Sequence, residues 1–223
     1  MGSGNTGLIA FEFSRLKAQP SFSGAVHLAE QLTACALVVV CFPVLLLAAI
    51  IVVGLSRRSP FIAHQRVGQE GRLIWVLKLR TMWQGDAATP FVLVHRLSAA
   101  EAPVPAPDKK NLRVTSRFAA FCRRYSIDEL PQLWHVVRGE MAFVGPRPLT
   151  RQELDDYYGS SAPTVLSVRP GLSGLWQISG RSRLTYAQRR RLDLFLVRKW
   201  SISLYLRILL TTVPRVIAGK DAR

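Results

Sequence analysis

Hydrophobic and polar positions divide the chain into unlike stretches. From Leu32 to Leu55 about 24 residues pass without a charge, long enough for a helix to cross a hydrocarbon core of about 30 Å. Pro43 lies near the middle of this run, where a proline removes a backbone hydrogen bond and kinks the helix. Two shapes follow: a kinked spanning helix, or a re-entrant hairpin that enters and leaves one leaflet with its bend at Pro43. Hydropathy alone favours the spanning form, because non-helical backbone at membrane depth is rare. Upstream, Leu8, Ile9, Phe11, Phe13 and Leu16 interleave with Glu12, Arg15 and Lys17, which predicts a short interfacial helix over residues 8–19.

The period then changes to two. Leu73, Trp75, Leu77 and Leu79 alternate on one face and Ile74, Val76, Lys78 and Arg80 on the other, after the turn signal Gly68-Gln69-Glu70-Gly71. This predicts a β-hairpin or small sheet between Phe61 and Trp83 that holds two cations side by side. Residues 85–112 are rich in Ala and Pro, have no sustained period and read as an extended loop. A helix is predicted from Arg113 to Tyr125, capped by Thr115 or Ser116, with Val114, Phe118, Phe121, Cys122 and Tyr125 as its packed face. Gln152 to Tyr158 reads as a short helix. Arg169-Pro170-Gly171 and Gly174 to Arg181 read as a glycine-punctuated loop or strand able to bring backbone amides close to a ligand. Thr185 to Lys199 is a basic helix entered at Thr185. Trp200 to Ile217 is apolar but interrupted by Arg207, Pro214 and Arg215, which suits a membrane interface better than a crossing.

Charge narrows the partners. The chain carries 30 Lys+Arg against 14 Asp+Glu, a formal net charge of +16, so nucleic acid, anionic lipid and phosphorylated small molecules all suit its field. The apolar run argues against a soluble protein and brings lipid forward. Only Arg15 and Lys17 precede that run, while Arg57 and Arg58 stand at its exit, which puts the C-terminal bulk on the cytoplasmic side. Cys35, Cys41 and Cys122 show neither disulfide nor zinc spacing, and the four histidines read as surface or packed residues.

The chemistry concentrates around Arg123-Arg124-Tyr125-Ser126-Ile127-Asp128-Glu129-Leu130-Pro131. Ser126-x-x-Glu129 has the form of a capping box, and Asp128 is an alternative cap; either register puts both carboxylates at a helix start. One cap needs one carboxylate, and here there are two beside Arg123. Adjacent helical side chains diverge by about 100°, so the pair does not flank a sugar bond as glycosidase carboxylates do. One can attack while the other orients. A carboxylate attacking phosphorus forms an acyl phosphate, and the surrounding cations neutralise a diphosphate. Arg147 is fixed between Pro146 and Pro148.

Taken together, Lys78-Leu79-Arg80-Thr81-Met82, Ser126 to Gln132, Gly139-Glu140-Met141, Gly145-Pro146-Arg147-Pro148, Arg169-Pro170-Gly171 and Gly174 to Arg181 resemble the bacterial sugar transferases, the monotopic polyprenol-phosphate phosphoglycosyl transferases, in their small form. The resemblance covers roughly residues 32–215. It implies transfer of a sugar phosphate from a UDP-sugar to a polyprenol phosphate such as undecaprenyl phosphate, with release of UMP. Asp128 is then the nucleophile, Glu129 stands beside it, and both help Mg2+ hold the diphosphate. Lys78, Arg80, Arg123 and Arg147 bind phosphate, and Arg169, Pro170, Gly171, Trp176 and Arg181 belong to the remaining substrate site. The resemblance also replaces the spanning helix with a re-entrant one bent at Pro43. One departure stands out: Tyr205, in Leu204-Tyr205-Leu206-Arg207-Ile208, occupies a position where many members carry aspartate. Asp193 matches another acidic position of the family, with no role carried over.

The fold implied is α+β and mainly helical. It comprises an N-terminal tail with an interfacial helix (1–31), a re-entrant membrane helix hairpin (32–56), and a cytoplasmic catalytic domain (57–223) with a small β-hairpin and interfacial amphipathic helices. Its implied setting is the bacterial inner membrane, with the first membrane step of exopolysaccharide synthesis as its task and membrane lipid, not nucleic acid, as its surroundings; a homodimer is compatible with such anchoring. The alternative is a membrane-tethered cationic binding module in which the Asp-Glu pair only caps a helix. Donor specificity is assigned to residues 85–112 and Gly171 to Arg181, which name no particular sugar.

Overall fold

The computed structural model describes residues 24–82, 92–97, 116–180 and 184–219. The helix predicted over 8–19, most of the Ala/Pro-rich stretch, Arg113 to Thr115 and Arg181 lie outside the described residues.

The apolar run forms one helix, α1 (Gly24–Ser56), which contains Pro43. Most of its large side chains, including Val39, Val40, Phe42, Leu47 and Ile50, face outward. A stripe of Glu30, Ala34, Ala48, Ala49 and Val52 is buried. Near the N-terminal end, Ala34 packs with Ile74, Val76, Val136 and Met141. Gln31 Nε2 donates to the Val137 carbonyl at 3.0 Å. Glu30 Oε1 accepts from the Phe143 amide at 3.0 Å and from the Tyr205 hydroxyl at 2.7 Å. Near the other end, Ala48, Ala49 and Val52 pack with Leu79 and Cys122. Alanines on the stripe let the helix backbone come close. Both halves of α1 are thus fastened to one body.

Strands β1 (Phe61–Val67) and β2 (Leu73–Leu79) form the predicted hairpin, antiparallel from Phe61↔Leu79 to Val67↔Leu73. The 3-10 turn Gln69–Gly71 joins them with Glu70 at φ 56°. Burial falls on both faces of β2: Ile74 and Val76 on the Lys78 face are buried and so is Leu79 on the other, whereas Leu73 is exposed. Helix α1 and the segment after the carboxylates cover Ile74 and Val76. A third strand, β3 (Val94–Leu97), adds parallel to β1, where only an extended loop was predicted. Four residues are too few for a period to show.

Helix α2 (Arg117–Arg124) starts at Ser116, whose Oγ accepts from the Ala119 amide at 3.0 Å. Ala119 and Cys122 are buried, but Phe121 is half exposed. The packed face is therefore rotated from the predicted one toward its smaller residues, which α1 can approach. A 3-10 helix, Ile127–Gln132, leads into α3 (Leu133–Val137). Next, β4 (Ala142–Val144) pairs in parallel with β5 (Gly171–Ser173). A Cβ on Gly171 would fall 2.0 Å from the Gly145 nitrogen, and one on Gly145 would fall 2.5 Å from the Arg169 carbonyl oxygen. These glycines allow close approach between two stretches of the protein's own backbone, and a short helix, Leu175–Ser179, follows them instead of a loop.

Between the strands lie α4 (Arg151–Glu153), which runs on as a π-helical turn over Leu154–Tyr158, and α5 (Ala162–Leu166). Helix α6 (Leu175–Ser179) precedes α7 (Tyr186–Arg198), which is capped by Thr185 and Gln188 as predicted at its start. The last helix, α8 (Ile202–Ala218), continues through Pro214. It buries Tyr205 and Ile208 in a cluster with Val144 and Leu196. Along it, Ile202, Leu206, Leu210, Val213 and Ile217 are exposed.

Candidate active site

The carboxylate pair sits in the first turn of the 3-10 helix. Ser126 does not cap it: the residue is left-handed, with φ 54°, and its side chain makes no capping bond. The predicted capping box is therefore absent. A left-handed serine instead turns the chain sharply between α2 and the 3-10 helix, and this leaves the carboxylates for other partners.

Glu129 Oε1 lies 2.9 Å from Lys78 Nζ. Burial is the main influence on Asp128 and pushes its carboxyl up to about 6. Lys78 and Arg123 pull it back toward the ionised form, while the neighbouring Glu129 pushes it further up. Strand β2 thus delivers one cation and α2 another to a carboxylate that is ionised at neutral pH. Cys122 lies beneath this group, its thiol pushed up to about 11 by burial and by Asp128.

His135 fixes the approach of β2. Its Nε2 accepts from the Leu77 amide at 3.1 Å, so the ring proton is on Nδ1, which faces Glu140 Oε2 at 2.6 Å. Arg138 Nε lies 3.1 Å from the other Glu140 oxygen. This buried strap holds the residue next to Lys78. The sequence read its histidines as surface or packed residues, and His135 is packed.

The remaining predicted residues fall into separate groups. Arg80 is buried, with Nε donating to the Ser59 carbonyl at 2.9 Å. Arg169 donates to the Gly139 carbonyl at 3.4 Å and is attracted by Glu30. Pro170 and Gly171 serve the β4–β5 junction, where the Pro170 carbonyl accepts from Ala142. Arg147 stands over the Trp176 ring at 5.6 Å, and Arg189 approaches the same ring at 5.1 Å. Asp193 is part of this group: burial pushes it up to about 7, and Tyr158 donates to its Oδ2 at 2.7 Å.

Sequence reasoning missed His64 and Arg66. The hairpin register sets Ile62 opposite Lys78, His64 opposite Val76 and Arg66 opposite Ile74, so all three share the Lys78 face. Had the strands been paired around the Gly68–Gly71 turn, that signal was available. His64 is pushed down to about 4 by burial and by Arg66, Lys78 and Arg80, and stays neutral. Arg66 is repelled by Arg147 and attracted by Glu153. On this face Arg66 lies 3.7 Å from Glu153 Oε2 and within the field of Arg147.

Among the described residues no three acidic, histidine or cysteine side chains converge on a metal site. Asp128 and Glu129 supply hard oxygen donors, which suits Mg2+ held by one or two carboxylates plus substrate phosphates.

The model of the bacterial sugar transferases matches residues 24–219. This chain belongs to that family. The transferase is 40% identical over 166 residues to the exopolysaccharide production protein ExoY of Rhizobium meliloti, covering 74% of this chain and 73% of that one. It is 37% identical to the UDP-galactose-lipid carrier transferase of Erwinia amylovora, over 74% of this chain and 34% of that one. It is 35% identical to the undecaprenyl-phosphate galactose phosphotransferase of Salmonella typhimurium, over 71% of this chain and 33% of that one. The transferase thus spans about a third of the latter two relatives. Family membership does not favour the cationic binding module.

Proposed function

We propose that this transferase moves a sugar 1-phosphate from a UDP-sugar to a polyprenyl phosphate in two steps through Asp128, a first membrane step in exopolysaccharide synthesis. In the first step an Asp128 carboxylate oxygen attacks the phosphorus that bears the sugar. The bond from that phosphorus to the bridging oxygen breaks, and UMP leaves with the electron pair. The product is an acyl phosphate on Asp128. In the second step a phosphate oxygen of the lipid attacks the same phosphorus, the acyl bond breaks and the carboxylate returns, which leaves polyprenyl-diphosphate-sugar. No oxidant or reductant is needed.

Lys78, Glu129 and Arg123 order the site. Lys78 and Arg123 keep Asp128 ionised against burial and stabilise the charge that builds on the phosphoryl oxygens. Asp128 and Glu129 would hold Mg2+, which would supply further charge neutralisation to the donor diphosphate. Arg147 and Trp176 are assigned to the nucleotide side of the donor.

The observation that carries the reading is a half-buried carboxylate between two cations, with a second carboxylate held on Lys78 at 2.9 Å. We place α1 in one leaflet, bent at Pro43, with the catalytic body on the cytoplasmic face of the inner membrane. Support comes from Glu30 and Val52, which secure opposite halves of α1 to the same body. The test is Asp128→Asn, assayed with a panel of UDP-sugars and undecaprenyl phosphate. Acceptor-dependent UMP release should fall by more than about 10³-fold, and sugar label should no longer attach to the protein. Turnover near the wild-type rate in that variant would refute the nucleophile.

A further inference from the structure

Helix α8 presents an unpartnered apolar face. Ile202, Leu206, Leu210, Val213 and Ile217 are all exposed and fall within one quadrant of the helix at 100° per residue, over about 22 Å of its length. The C-terminal end runs into α2. Gly219, the C-cap of α8 at φ 58°, is pressed so close to Arg124 and Tyr125 that an added Cβ would lie 2.8 Å from Arg124 Nε and 3.1 Å from Tyr125 Cε1. Arg124 Nε donates to the Gly219 carbonyl at 3.3 Å. Tyr125 in turn meets the exposed Phe121 ring, with centroids 4.8 Å apart. Three residues beyond Tyr125 is Asp128, and Arg123 acts on it.

An apolar strip that ends at arginines beside a nucleophile matches a molecule with a long hydrocarbon tail and a phosphate head. We infer that α8 and the Phe121–Tyr125 edge of α2 form the track for the isoprenoid chain of the acceptor, with its phosphate led past Arg124 toward Asp128. The assignment rests on the function proposed above and adds to it the residues that select the acceptor. Charge decides between this occupant and a neutral partner helix. The acceptor brings an anion to the cationic end of the strip at Arg123 and Arg124, whereas a neutral helix brings no charge complementary to it. The polarity of the track also sets a direction: the end near Ile217 handles the first isoprene units, and the end near Ile202 handles the distant ones.

That direction makes the inference testable. The full chain is purified in detergent micelles, so that attachment to a bilayer is not the variable, and is assayed with a UDP-sugar that the wild type accepts. Two acceptors are compared: undecaprenyl phosphate and the short-chain geranyl phosphate. Phe121→Ser should raise KM for both acceptors by roughly tenfold, the worth of one large apolar contact. Leu206→Ser should raise KM for undecaprenyl phosphate alone, because the short chain ends before reaching it. KM for the UDP-sugar should stay within about twofold in both variants, which a general loss of structure would not allow. Unchanged acceptor KM values in both variants overturn the inference. So does an equal effect of Leu206→Ser on the two acceptors, or a loss of vesicle binding with acceptor KM unchanged in micelles, which would make the strip a bilayer contact only. If the wild type itself shows no acceptor-dependent UMP release, the proposed function fails instead.

Discussion

At Asp128 burial and reactivity pull in opposite directions. Desolvation raises the carboxyl to about 6, which strengthens it as a nucleophile but removes it from the ionised state below that pH. The rate constant for acceptor-dependent UMP release should therefore fall as pH drops through about 6, and a profile flat down to pH 5 would contradict the assignment. Stability moves the other way. Below pH 4 the folded and unfolded chains both hold the proton and the group contributes nothing. As pH rises from about 4 to about 6 the unfolded chain ionises first, and the folded chain must then ionise a group that burial disfavours. The full penalty is present above about 6. Replacing Asp128 with Asn should thus stabilise the protein at pH 8 by roughly 1–3 kcal/mol, a gain that vanishes by pH 4; denaturant unfolding at the two pH values measures it. That Asp128, Glu129, Lys78 and Arg123 come together was legible in the sequence because they sit in short motifs with a charge surplus that packing does not require. The roles of Arg80 and Arg169 were not, since a buried arginine on a backbone carbonyl and one aimed at substrate look alike until the fold is known.

Elements were legible where a period or a cap was strong. The hairpin, the Thr185-capped helix and the Ser116 cap all follow from local chemistry. Which β2 residues are buried does not, because apolar side chains alternate on both faces and α1 covers Ile74 and Val76 on one and Leu79 on the other. Pro43 and Pro214 illustrate the same limit. Each marks a local loss of one hydrogen bond, yet both lie on exposed faces where the helix passes through without a steric cost to its neighbours. The junction of α1 and α8 depends on a residue that the sequence flagged only as a departure: Tyr205, whose hydroxyl donates to Glu30. Glu30 is buried, and among the described residues its other oxygen has no hydrogen-bond partner, so this donor and the Phe143 amide carry its compensation. Tyr205→Phe should lower stability by roughly 1–3 kcal/mol, seen as a lower melting temperature in micelles; an unchanged melting temperature would show that the pair does not hold the helices together.

For the whole molecule, the proposed topology follows from two ends of one helix sharing a single anchor body. Hydropathy reads length and polarity but not tertiary contact, which is why it preferred a crossing. In a cysteine-free background, a single cysteine at Ser3 should resist a membrane-impermeant thiol reagent in intact spheroplasts and react once they are permeabilised. Labelling without permeabilisation would restore the spanning arrangement. The same double fastening of α1 has a kinetic consequence. If the helix cannot slide relative to the body, Asp128 rides at a constant depth relative to the lipid headgroups, and encounter with the acceptor becomes a search in a plane. Its rate is then governed by the mole fraction of acceptor in the surface, so diluting vesicles in buffer leaves turnover untouched while diluting the acceptor with inert lipid slows it.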